Sequence, residues 1–508
     1  MNIVGIDLGT TFSGLAVLDE IGNPAIIPNS DGDRITPSII FVDPDEDAKA
    51  EVGVEAMRQM VLYPDRVIVE VKREMGTEEV FKVGSHTFTP TEISALILKK
   101  LIKDAERIKG KIDEAVVTVP ANFLETARRA TKDAGEMAGL KKVTLIDEPV
   151  AAALLYAKTQ EVYGSALVFD LGGGTFDVTI ANIEGTDVKV VSSLGDSRLG
   201  GKDFDRALAG VIKDEYMESC GEALFDDEPG YELLFQAEEI KKTLSRRDKH
   251  KAVVIGPAGP QQLEITRSQF ENAISSYLGK IESVLGIVLD EAGVVAGDID
   301  HVLLVGGSTR IPCVKALLKE KFNKEPEECV NADEAVALGA AIYHGLKVDP
   351  DRLNPLQREA IETVNLVNTA PANYGTIAFD DSGTSFNSII IYKNAVLPCS
   401  ATKDYRTMSH GQTTVDCSVT QCTFEEENPE YLFKLSEEAM TLPPGRPPGE
   451  RIRVTFSYNE EGMMMCEFMD VTSGQVKSIE VDPGGGGDTN YRRTVDPDSP
   501  DVSDFLVD

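Results

Sequence analysis

The fold of this 508-residue chain is indicated by a stretch that occurs twice. Residues 167–178 read LVFDLGGGTFDV and residues 4–12 read VGIDLGTTF, so Asp-Leu-Gly follows an apolar run in both places. A second apolar run follows each copy, at residues 15–17 and 178–180. Each copy therefore predicts a strand, a tight turn rich in Gly and Thr, and a second strand. Because both turns offer a carboxylate and backbone N–H groups, the duplication suggests two halves that close on one phosphate chain and its metal ion.

Composition and charge define the broad class of the protein. The length predicts two or more domains of roughly 100–200 residues each, and a hydrophobic content of 42% allows sizeable cores. The formal net charge of −35 argues against binding a polyanion over a wide surface, so no nucleic-acid partner is expected. No run of about 18 apolar residues occurs, so no membrane partner is expected either. The chain enters a strand directly after Met1 without a signal-peptide core, and its seven scattered Cys predict reduced thiols, so we expect a cytoplasmic protein.

The pattern of apolar and polar residues changes along the chain. Residues 1–347 alternate short apolar runs with amphipathic helical stretches, which is typical of α/β domains. Residues 348–363 follow as an interdomain linker. In residues 364–482, Val, Ile, Thr, Tyr and Phe alternate with polar residues between Pro and Gly, which predicts a small antiparallel β domain. Residues 483–508 are predicted to be an acidic disordered tail, with an acidic short linear motif as the alternative.

The two turns carry the groups that phosphate and Mg²⁺ require. Their glycines allow backbone N–H groups to approach phosphate oxygens, and their threonines add hydroxyl donors. Asp7 and Asp170 can hold Mg²⁺, mainly through water, because this ion retains much of its hydration shell. Asp177 would project from the second turn toward the same place. A single Asp-Gly-Gly-Gly is more often an ordinary turn, but two copies after matched strands favour a phosphate site.

A third glycine turn follows another apolar run, at residues 304–312 (LVGGSTRIP). Two glycines after a strand and a Pro at a helix start are suited to a ribose or an α-phosphate. The sequence contains no P-loop, no G-x-S-x-G motif and no Rossmann fingerprint. Phosphate binding would therefore use hairpin turns.

These three motifs, in this order, resemble the actin/hexokinase/heat-shock 70 ATPase superfamily. Residues 146–153 (IDEPVAAA), 199–205 (LGGKDFD) and 331–341 (NADEAVALGAA) narrow the resemblance to the heat-shock 70 (DnaK-type) chaperones. The match covers essentially all of residues 1–347 and is weaker in residues 364–482. It implies a two-lobed, duplicated actin-like ATPase domain of the α/β class, followed by a small antiparallel β-sandwich domain that resembles a substrate-binding domain.

The resemblance also assigns roles to individual residues. Asp7, Glu148 and Asp170 match the acids around Mg²⁺, and Lys72 matches the lysine that positions the attacking water. Thr175 matches a phosphate-contacting threonine, and Asp177 a second acid near the water. The residues that match nucleotide contacts are Thr10, Thr11, Phe12, Gly172, Gly173, Gly174, Gly200, Gly201, Glu238, Lys241, Lys242, Ser245, Gly306, Gly307, Ser308, Arg310 and Asp333.

The four contacts of this set between residues 238 and 245 have i, i+3, i+4 and i+7 spacing, so they share one face of a predicted helix. Glu238 and Lys241 resemble ribose contacts, whereas Ser245, Arg310 and Asp333 resemble residues around the base. Lys242 replaces a usual Arg, which predicts weaker stacking on adenine. Without the resemblance, the same helix face would be interpreted as solvated charge.

The implied activity is slow, Mg²⁺-dependent hydrolysis of ATP to ADP, with K⁺ as a further candidate ion. The implied function is an ATP-dependent chaperone for extended apolar segments of unfolded proteins, acting in protein folding and the stress response. The alternative is a nucleotide-binding scaffold or exchange-factor-like relative without refolding activity. A sugar or acetate kinase of the superfamily is disfavoured, because the local matches are chaperone-like and a β domain follows.

Several departures from the family bear on partners. Thr144, Asp147 and Val150 replace residues of a stretch that commonly serves J-domain docking, so an ordinary J-domain co-chaperone is in doubt, whereas a nucleotide exchange factor remains a candidate. The linker has no leucine run, and we expect no helical lid. The resemblance places five residues along a peptide groove, although they could equally be the core of the β domain: Tyr405, Met408, Val415, Cys417 and Val419.

Overall fold

The fold is known from a computed structural model, which describes residues 2–44, 49–84, 86–160, 163–225, 229–328, 332–362, 364–380, 382–459, 463–481 and 505–507. The strands up to residue 147 are β1 (Val4–Asp7), β2 (Phe12–Leu18), β3 (Pro24–Ile26), β4 (Thr36–Pro37), β5 (Ile40–Val42), β6 (Lys49–Val52), β7 (Val67–Ile68), β8 (Phe81–Val83), β9 (His86–Phe88), β10 (Glu114–Val119) and β11 (Lys142–Asp147). The helices of this part are α1 (Val54–Gln59), α2 (Pro90–Lys109) and α3 (Glu125–Met137), with 3₁₀ turns at Pro64–Arg66 and Val71–Glu74.

The next part of the chain contains most of the helices. They are α4 (Glu148–Thr159), α5 (Gly201–Cys220), α6 (Tyr231–Leu244), α7 (Arg267–Ala273), α8 (Ser275–Ala292), α9 (Pro312–Phe322), α10 (Ala335–Lys347) and α11 (Pro355–Glu362). The strands among them are β12 (Tyr163–Leu171), β13 (Phe176–Glu184), β14 (Asp187–Asp196), β15 (Lys249–Gly256), β16 (Gly259–Thr266), β17 (His301–Val305), β18 (Glu327–Glu328) and β19 (Asn365–Val367). No helix in the described ranges is both long and apolar enough to cross a lipid bilayer.

Two sheets with matching centres organise residues 2–367. The first has the order β11-β10-β1-β2-β3, and the second has the order β18-β17-β12-β13-β14-β19. In both sheets, the strand that leads into the Asp-Leu-Gly turn pairs antiparallel with the next strand and parallel with a strand on its other side. These partners are β2 and β10 for β1, and β13 and β17 for β12. The predicted strand–turn–strand units are therefore present at both copies of the motif.

Small residues allow the helices between these two sheets to approach closely. The alanines of α4 and α10 are buried in one core with residues of both sheets, including Ala16 and Ala166. A methyl group added at Gly339 would lie 1.7 Å from the Ala151 carbonyl oxygen. The close packing of α4 on α10 thus fixes the two hairpin turns relative to each other.

The last part of the chain is all β. Its strands are β20 (Asn373–Phe379), β21 (Ser385–Ile391), β22 (Cys399–Arg406), β23 (Thr414–Cys422), β24 (Phe433–Thr441), β25 (Arg451–Tyr458), β26 (Met464–Asp470), β27 (Val476–Val481) and β28 (Leu506–Val507). Strands β20 to β27 form two four-stranded antiparallel sheets, ordered β21-β20-β23-β24 and β22-β25-β26-β27. Their facing sides enclose a core that includes Tyr374, Phe456 and Phe468. We refer to residues 364–481 as the β region.

Residues 348–362, which belong to the predicted linker, lie against the first sheet. Arg352 pairs with Glu114 at 2.9 Å, and the Gln357 amide donates to the Asp19 carbonyl oxygen. The predicted acidic tail, residues 483–508, falls mostly on residues 483–504 and 508, which lie outside the described residues. Its described residues 505–507 differ from the expectation of disorder, because Phe505 and Val507 are buried in the core of the first sheet.

Candidate active site

The two hairpin turns face each other across a cavity of about 460 Å³. Twenty of the predicted site residues line it: Asp7, Thr10, Thr11, Phe12, Lys72, Glu148, Asp170, Gly172, Gly173, Thr175, Gly201, Glu238, Lys241, Lys242, Ser245, Gly306, Gly307, Ser308, Arg310 and Asp333. The remaining three, Gly174, Gly200 and Asp177, adjoin this surface without lining it. A methyl group at Gly174 would lie 2.2 Å from the Thr10 side chain, and one at Gly200 would lie 2.7 Å from the Gly173 backbone.

The turns present buried polar groups that fit an anionic ligand. The hydroxyl oxygens of Thr10 and Thr11 are buried and accept or donate no hydrogen bond within the described part of the chain. A buried hydroxyl of this kind is costly unless a ligand or water satisfies it. Gly173 leaves room for the Thr11 side chain, since an added methyl group would lie 1.9 Å from the Thr11 hydroxyl oxygen and would force a shift. Gly306, with φ of 81°, supplies the third turn, where a methyl group would lie 2.4 Å from the Leu171 carbonyl oxygen. The turns therefore fit phosphate groups at short range.

Four carboxylates, three of them buried, and one buried ammonium lie at the deep end of the cavity. Asp7 and Asp170 lie at or near the ends of β1 and β12, Glu148 begins α4, and Lys72 lies in the 3₁₀ turn after β7. The Lys72 ammonium forms an ion pair with the Glu148 carboxylate. Asp177, on β13, is 1% exposed and accepts a hydrogen bond from the Ala121 backbone. One lysine cannot balance four carboxylates, which favours a bound cation.

The pKa values of this cluster record the same imbalance. Burial, followed by repulsion from Glu148, raises the pKa of Asp7 to about 7. The same two causes raise the pKa values of Asp170 and Asp177 well above their ordinary range. Burial alone would lower the pKa of Lys72, but the attraction of Glu148 and Asp7 outweighs it and the pKa is raised. Lys72 is thus a fixed positive charge beside carboxyl groups that a divalent cation would hold ionised.

Direct metal coordination by several side chains is not arranged here. In the described ranges, no three His, Cys, Asp or Glu side chains converge closely enough to hold one metal ion between them. The Asp7 carboxylate instead accepts a hydrogen bond from the Thr118 hydroxyl at 2.9 Å. Carboxylates that face a cavity without converging on one point are suited to a Mg²⁺ ion that keeps its water molecules.

The other end of the cavity is lined by α5 and α6. The Glu238 carboxylate pairs with Lys202 at 2.8 Å, and the Lys241 ammonium pairs with Asp205 at 2.7 Å. Burial would raise the pKa of the Glu238 carboxyl, but Lys202, Lys241 and Lys242 together lower it to about 2. Lys242 is half-exposed and pairs with Glu238 and Glu239.

The remaining contacts predicted near the base are also present at this end. Arg310 pairs with Asp333 at 2.8 Å. The Ser245 hydroxyl donates to the Lys241 carbonyl oxygen of its own helix, and the Ser308 hydroxyl donates to the Gly172 carbonyl oxygen. The structure thus brings the predicted ribose and base residues together on one side of the cavity.

Sequence reasoning missed four residues that support the site. Arg73 donates to the Gly174 carbonyl oxygen and pairs with Asp203, so it links the Lys72 turn to the second hairpin. Asp205 and Lys202 hold Lys241 and Glu238 in place. Thr118 holds Asp7. Arg73 is next to Lys72, and Lys202 and Asp205 lie within the LGGKDFD stretch. Both stretches were noted from the sequence, but no role was assigned to these three residues.

Comparison with known proteins is consistent with this geometry. The profile of the family described as Hsp70 protein matches residues 3–83 and 78–496. The chaperone protein DnaK of Thermotoga neapolitana is 37% identical over 496 residues, which cover 94% of this chain and 80% of that protein. The chaperone protein DnaK of Halobacterium salinarum is 38% identical over 494 residues, which cover 95% of this chain and 75% of that protein. The chain belongs to the Hsp70 family. It is an ATP-dependent chaperone, and like other members of the Hsp70 family it is an ATPase.

The five residues that the Hsp70 resemblance places along a peptide groove do not share one open surface. Cys417 and Val419 have no exposed surface and belong to the core of the β region, so for these two the core interpretation describes the structure. Tyr405 and Val415 are half-buried and pack against that core. Met408 is 51% exposed. Alternation of residue types along a strand does not show which of its faces lies inward.

The three positions that differ from the Hsp70 J-domain stretch lie on β11 and α4. Thr144 is half-buried, whereas Val150 is fully buried. The Asp147 carboxylate forms a buried ion pair with Arg128 at 2.6 Å. Only Thr144 therefore offers side-chain surface in this structure.

Proposed function

We propose that this Hsp70 protein couples the nucleotide state of its cavity to the binding of extended apolar peptide segments by the β region. In this proposal residues 1–347 are the ATPase domain, built from two actin-like halves, residues 348–363 are the linker, and residues 364–482 are a β-sandwich substrate domain. The observation that supports the coupling is a series of hydrogen bonds that connects the acidic end of the cavity with the β region.

The first part of this series runs through the segment between β10 and α3. Asp177, at the cavity, accepts from the Ala121 N–H at 2.9 Å. The Arg128 guanidinium donates to the Phe123 carbonyl oxygen at 3.0 Å and pairs with Asp147, next to Glu148 in sequence. A change at the acid cluster therefore has a direct route to the backbone of residues 121–123.

The second part crosses to the β region. The Glu125 N–H, at the start of α3, donates to the side-chain oxygen of Gln421 on β23 at 3.1 Å. The Gln421 amide donates to the Tyr374 hydroxyl at 3.4 Å, and the Tyr374 ring packs edge-on against Tyr458. Tyr458 and Tyr374 also lie near Arg128, and burial raises the pKa of Tyr458 to about 12, so both remain neutral hydrogen-bonding groups. These polar contacts are buried, where their geometry is strongly specified.

For hydrolysis, we assign the deep end of the cavity to the γ-phosphate. Thr10, Thr11 and the backbone of residues 172–174 would bind the phosphate oxygens, and Lys72 with Asp177 would orient the attacking water. Mg²⁺, held mainly through water near Asp7 and Asp170, would supply charge neutralisation, and K⁺ is a further candidate ion. Glu148 holds Lys72 in position through their ion pair. No side chain is needed as a covalent nucleophile.

Clients, co-chaperones and location follow from the same assignment. We propose that the clients are unfolded or extended polypeptides and that a nucleotide exchange factor assists turnover. Since Asp147 is engaged by Arg128 and Val150 is buried, J-domain docking would need a surface other than these two side chains. We assign the protein to the cytoplasm, on the basis of the sequence expectation.

The coupling can be tested by the release of a fluorescent apolar peptide from the full chain, with ATP and with ADP. We expect ATP to accelerate release at least about tenfold in the wild type, and Gln421→Ala to remove most of this acceleration while ATP hydrolysis without peptide stays unchanged. Gln475→Ala, on an exposed turn, is the matched control and should behave as wild type. Release that does not respond to ATP in the wild type would contradict the proposal and favour a nucleotide-gated scaffold.

A further inference from the structure

Strand β28 extends a small sheet of the ATPase domain and has no role in the candidate active site. Its sheet has the order β28-β6-β5-β7, and β28 runs parallel to β6 with Leu506 opposite Lys49 and Val507 opposite Ala50. Without β28, strand β6 would be the edge of this sheet. An edge strand presents backbone N–H and C=O groups that readily accept another strand.

The side chains of the segment 505–507 alternate between the core and the surface. Phe505 is 1% exposed and Val507 is 2% exposed, whereas Leu506 is 69% exposed. The Phe505 ring packs edge-on against Phe88 at 5.5 Å and against His86 at 5.8 Å between ring centroids. Both buried side chains join the core that holds the first sheet and α2. The ATPase domain therefore contains a pocket for an aromatic ring and a second position for a β-branched side chain.

Two lysines of α2 recognise the backbone of the same segment. The Lys99 ammonium donates to the Phe505 carbonyl oxygen at 2.9 Å, and the Lys103 ammonium donates to the Val507 carbonyl oxygen at 2.5 Å. Their i, i+4 spacing places both on one face of the helix. These two bonds satisfy backbone carbonyl groups of the segment, so they contribute affinity without selecting side chains.

We propose that the edge of β6, together with α2, is a docking site for an extended Phe-x-Val strand, and that its occupant is residues 505–507 of the same chain. The addition of a strand to a sheet edge accounts for the pairing with β6. The two inward-facing positions account for the apolar residues Phe505 and Val507. Because residues 482–504 connect this strand to β27, the contact occurs at the high effective concentration of an intramolecular reaction. Through β28, the part of the chain that follows the β region binds to the ATPase domain.

This attachment has a consequence for the two parts of the molecule. The β region is joined to the ATPase domain once through residues 348–363 and a second time through residues 482–504. The sheet that receives β28 also contains β7, which leads directly into the 3₁₀ turn Val71–Glu74 that carries Lys72. The docking site thus lies on the lobe that holds the catalytic lysine, away from the nucleotide cavity.

Hydrogen exchange of the full chain tests the site directly. In the wild type, the amides of residues 49–52 should be protected, and Phe505→Asp should accelerate their exchange at least about tenfold. Leu506→Ser is the matched control, because this side chain faces away from the core, and it should leave exchange unchanged. Exchange in β10 and β25 reports on intact folding and should not change in either variant. Equal protection of residues 49–52 in the wild type and Phe505→Asp would overturn the proposal.

A synthetic peptide of residues 501–508 identifies the occupant. Added at millimolar concentration to the full-length Phe505→Asp chain, it should restore protection of residues 49–52, and the same peptide with Phe505→Asp should not. Restoration by both peptides or by neither would overturn recognition of the Phe-x-Val strand. Protection in the wild type should be independent of protein concentration. Protection that rises with concentration would assign the strand to a second copy of the chain and overturn the intramolecular assignment.

Discussion

At the scale of single residues, the site is defined by groups that are costly without a ligand. The buried hydroxyls of Thr10 and Thr11 lack protein partners in the described residues, and glycines stand where any side chain would collide with them. The four carboxylates at the deep end exceed the charge of Lys72. These features together favour a triphosphate with its cation over a neutral ligand.

The first prediction concerns the glycine that lies closest to a threonine. In Gly173→Ala, the new methyl group would lie 1.9 Å from the Thr11 hydroxyl oxygen, so the phosphate-binding turn must shift. We expect ATP affinity to fall at least about tenfold, which corresponds to about 1.4 kcal/mol, as measured by calorimetric titration. Gly210→Ala is the matched control, because a methyl group there meets no atom within 4 Å. Wild-type affinity in Gly173→Ala would contradict the assignment of this turn to phosphate.

The candidate site residues that belong to short motifs are brought together at one cavity by the structure. The duplicated Asp-Leu-Gly turns could be interpreted from residues alone, because strand, glycine and carboxylate lie within twelve positions. Lys72 and Glu148 were assigned only through resemblance, since the ion pair that joins them spans 76 positions. The Lys241–Asp205 pair was not predicted, because nothing local distinguishes a buried partner from a solvated charge on a helix.

At the scale of elements, one buried histidine connects α10 to β1. Nδ1 of His344 lies 2.8 Å from both the backbone nitrogen and the carbonyl oxygen of Val4, so it accepts from the first or donates to the second according to its tautomer. Burial lowers the pKa of His344 to about 4, although the hydrogen bond with the Val4 backbone and the attraction of Glu114 favour the protonated ring, while Lys142 and Arg352 oppose protonation. The ring is therefore neutral in the folded protein over the physiological pH range.

This histidine predicts a pH dependence of stability. The unfolded chain takes up a proton near the ordinary pKa of about 6.5, whereas the folded chain does so only near pH 4. The His344 contribution is thus complete above about pH 6.5 and is lost as the pH falls toward 4, by up to about 3 kcal/mol. Urea unfolding of the wild type and His344→Gln at pH 7 and pH 4.5 should show a larger loss in the wild type. Equal losses in the two proteins would exclude His344 as a cause.

Element prediction failed where only tertiary contacts decide the outcome. Strand β28 lies in a segment that its composition assigns to disorder, and it forms because Phe505 finds a pocket between β9 and α2. In β23, the sequence left open whether Cys417 and Val419 line a groove or belong to the core, and the structure places both in the core. In both cases the deciding partner lies far away in sequence, so no local pattern could contain the information.

At the scale of the whole molecule, the β region contacts the preceding part of the chain at a second place besides Gln421. Lys393, after β21, pairs with Glu291 at the end of α8 at 2.9 Å, with side-chain exposures of 7% and 22%. The Asn394 amide lies 3.4 Å from the Ser192 hydroxyl, to which it donates. This ion pair contributes to holding the β region against the end of α8.

Charge reversal tests this contact. Lys393→Glu would replace the ion pair with two carboxylates that repel each other. We expect the β region to separate from the ATPase domain, so that small-angle X-ray scattering records a larger radius of gyration than for the wild type. Lys434→Glu, an exposed position within the β region, is the control and should leave the radius unchanged. The swapped pair Lys393→Glu/Glu291→Lys should restore the wild-type radius, and failure to do so would indicate that the ion pair does not hold this contact.

The central claim is that the cavity hydrolyses ATP with Lys72 beside the reacting phosphate, and single-turnover hydrolysis tests it most directly. The measurement compares the wild type, Lys72→Ala and the exposed control Lys82→Ala, each saturated with Mg²⁺ and radiolabelled ATP. We predict that Lys72→Ala still binds ATP but hydrolyses it at least about 100-fold more slowly, whereas Lys82→Ala matches the wild type. Hydrolysis by Lys72→Ala at a rate within about twofold of the wild type would contradict the account.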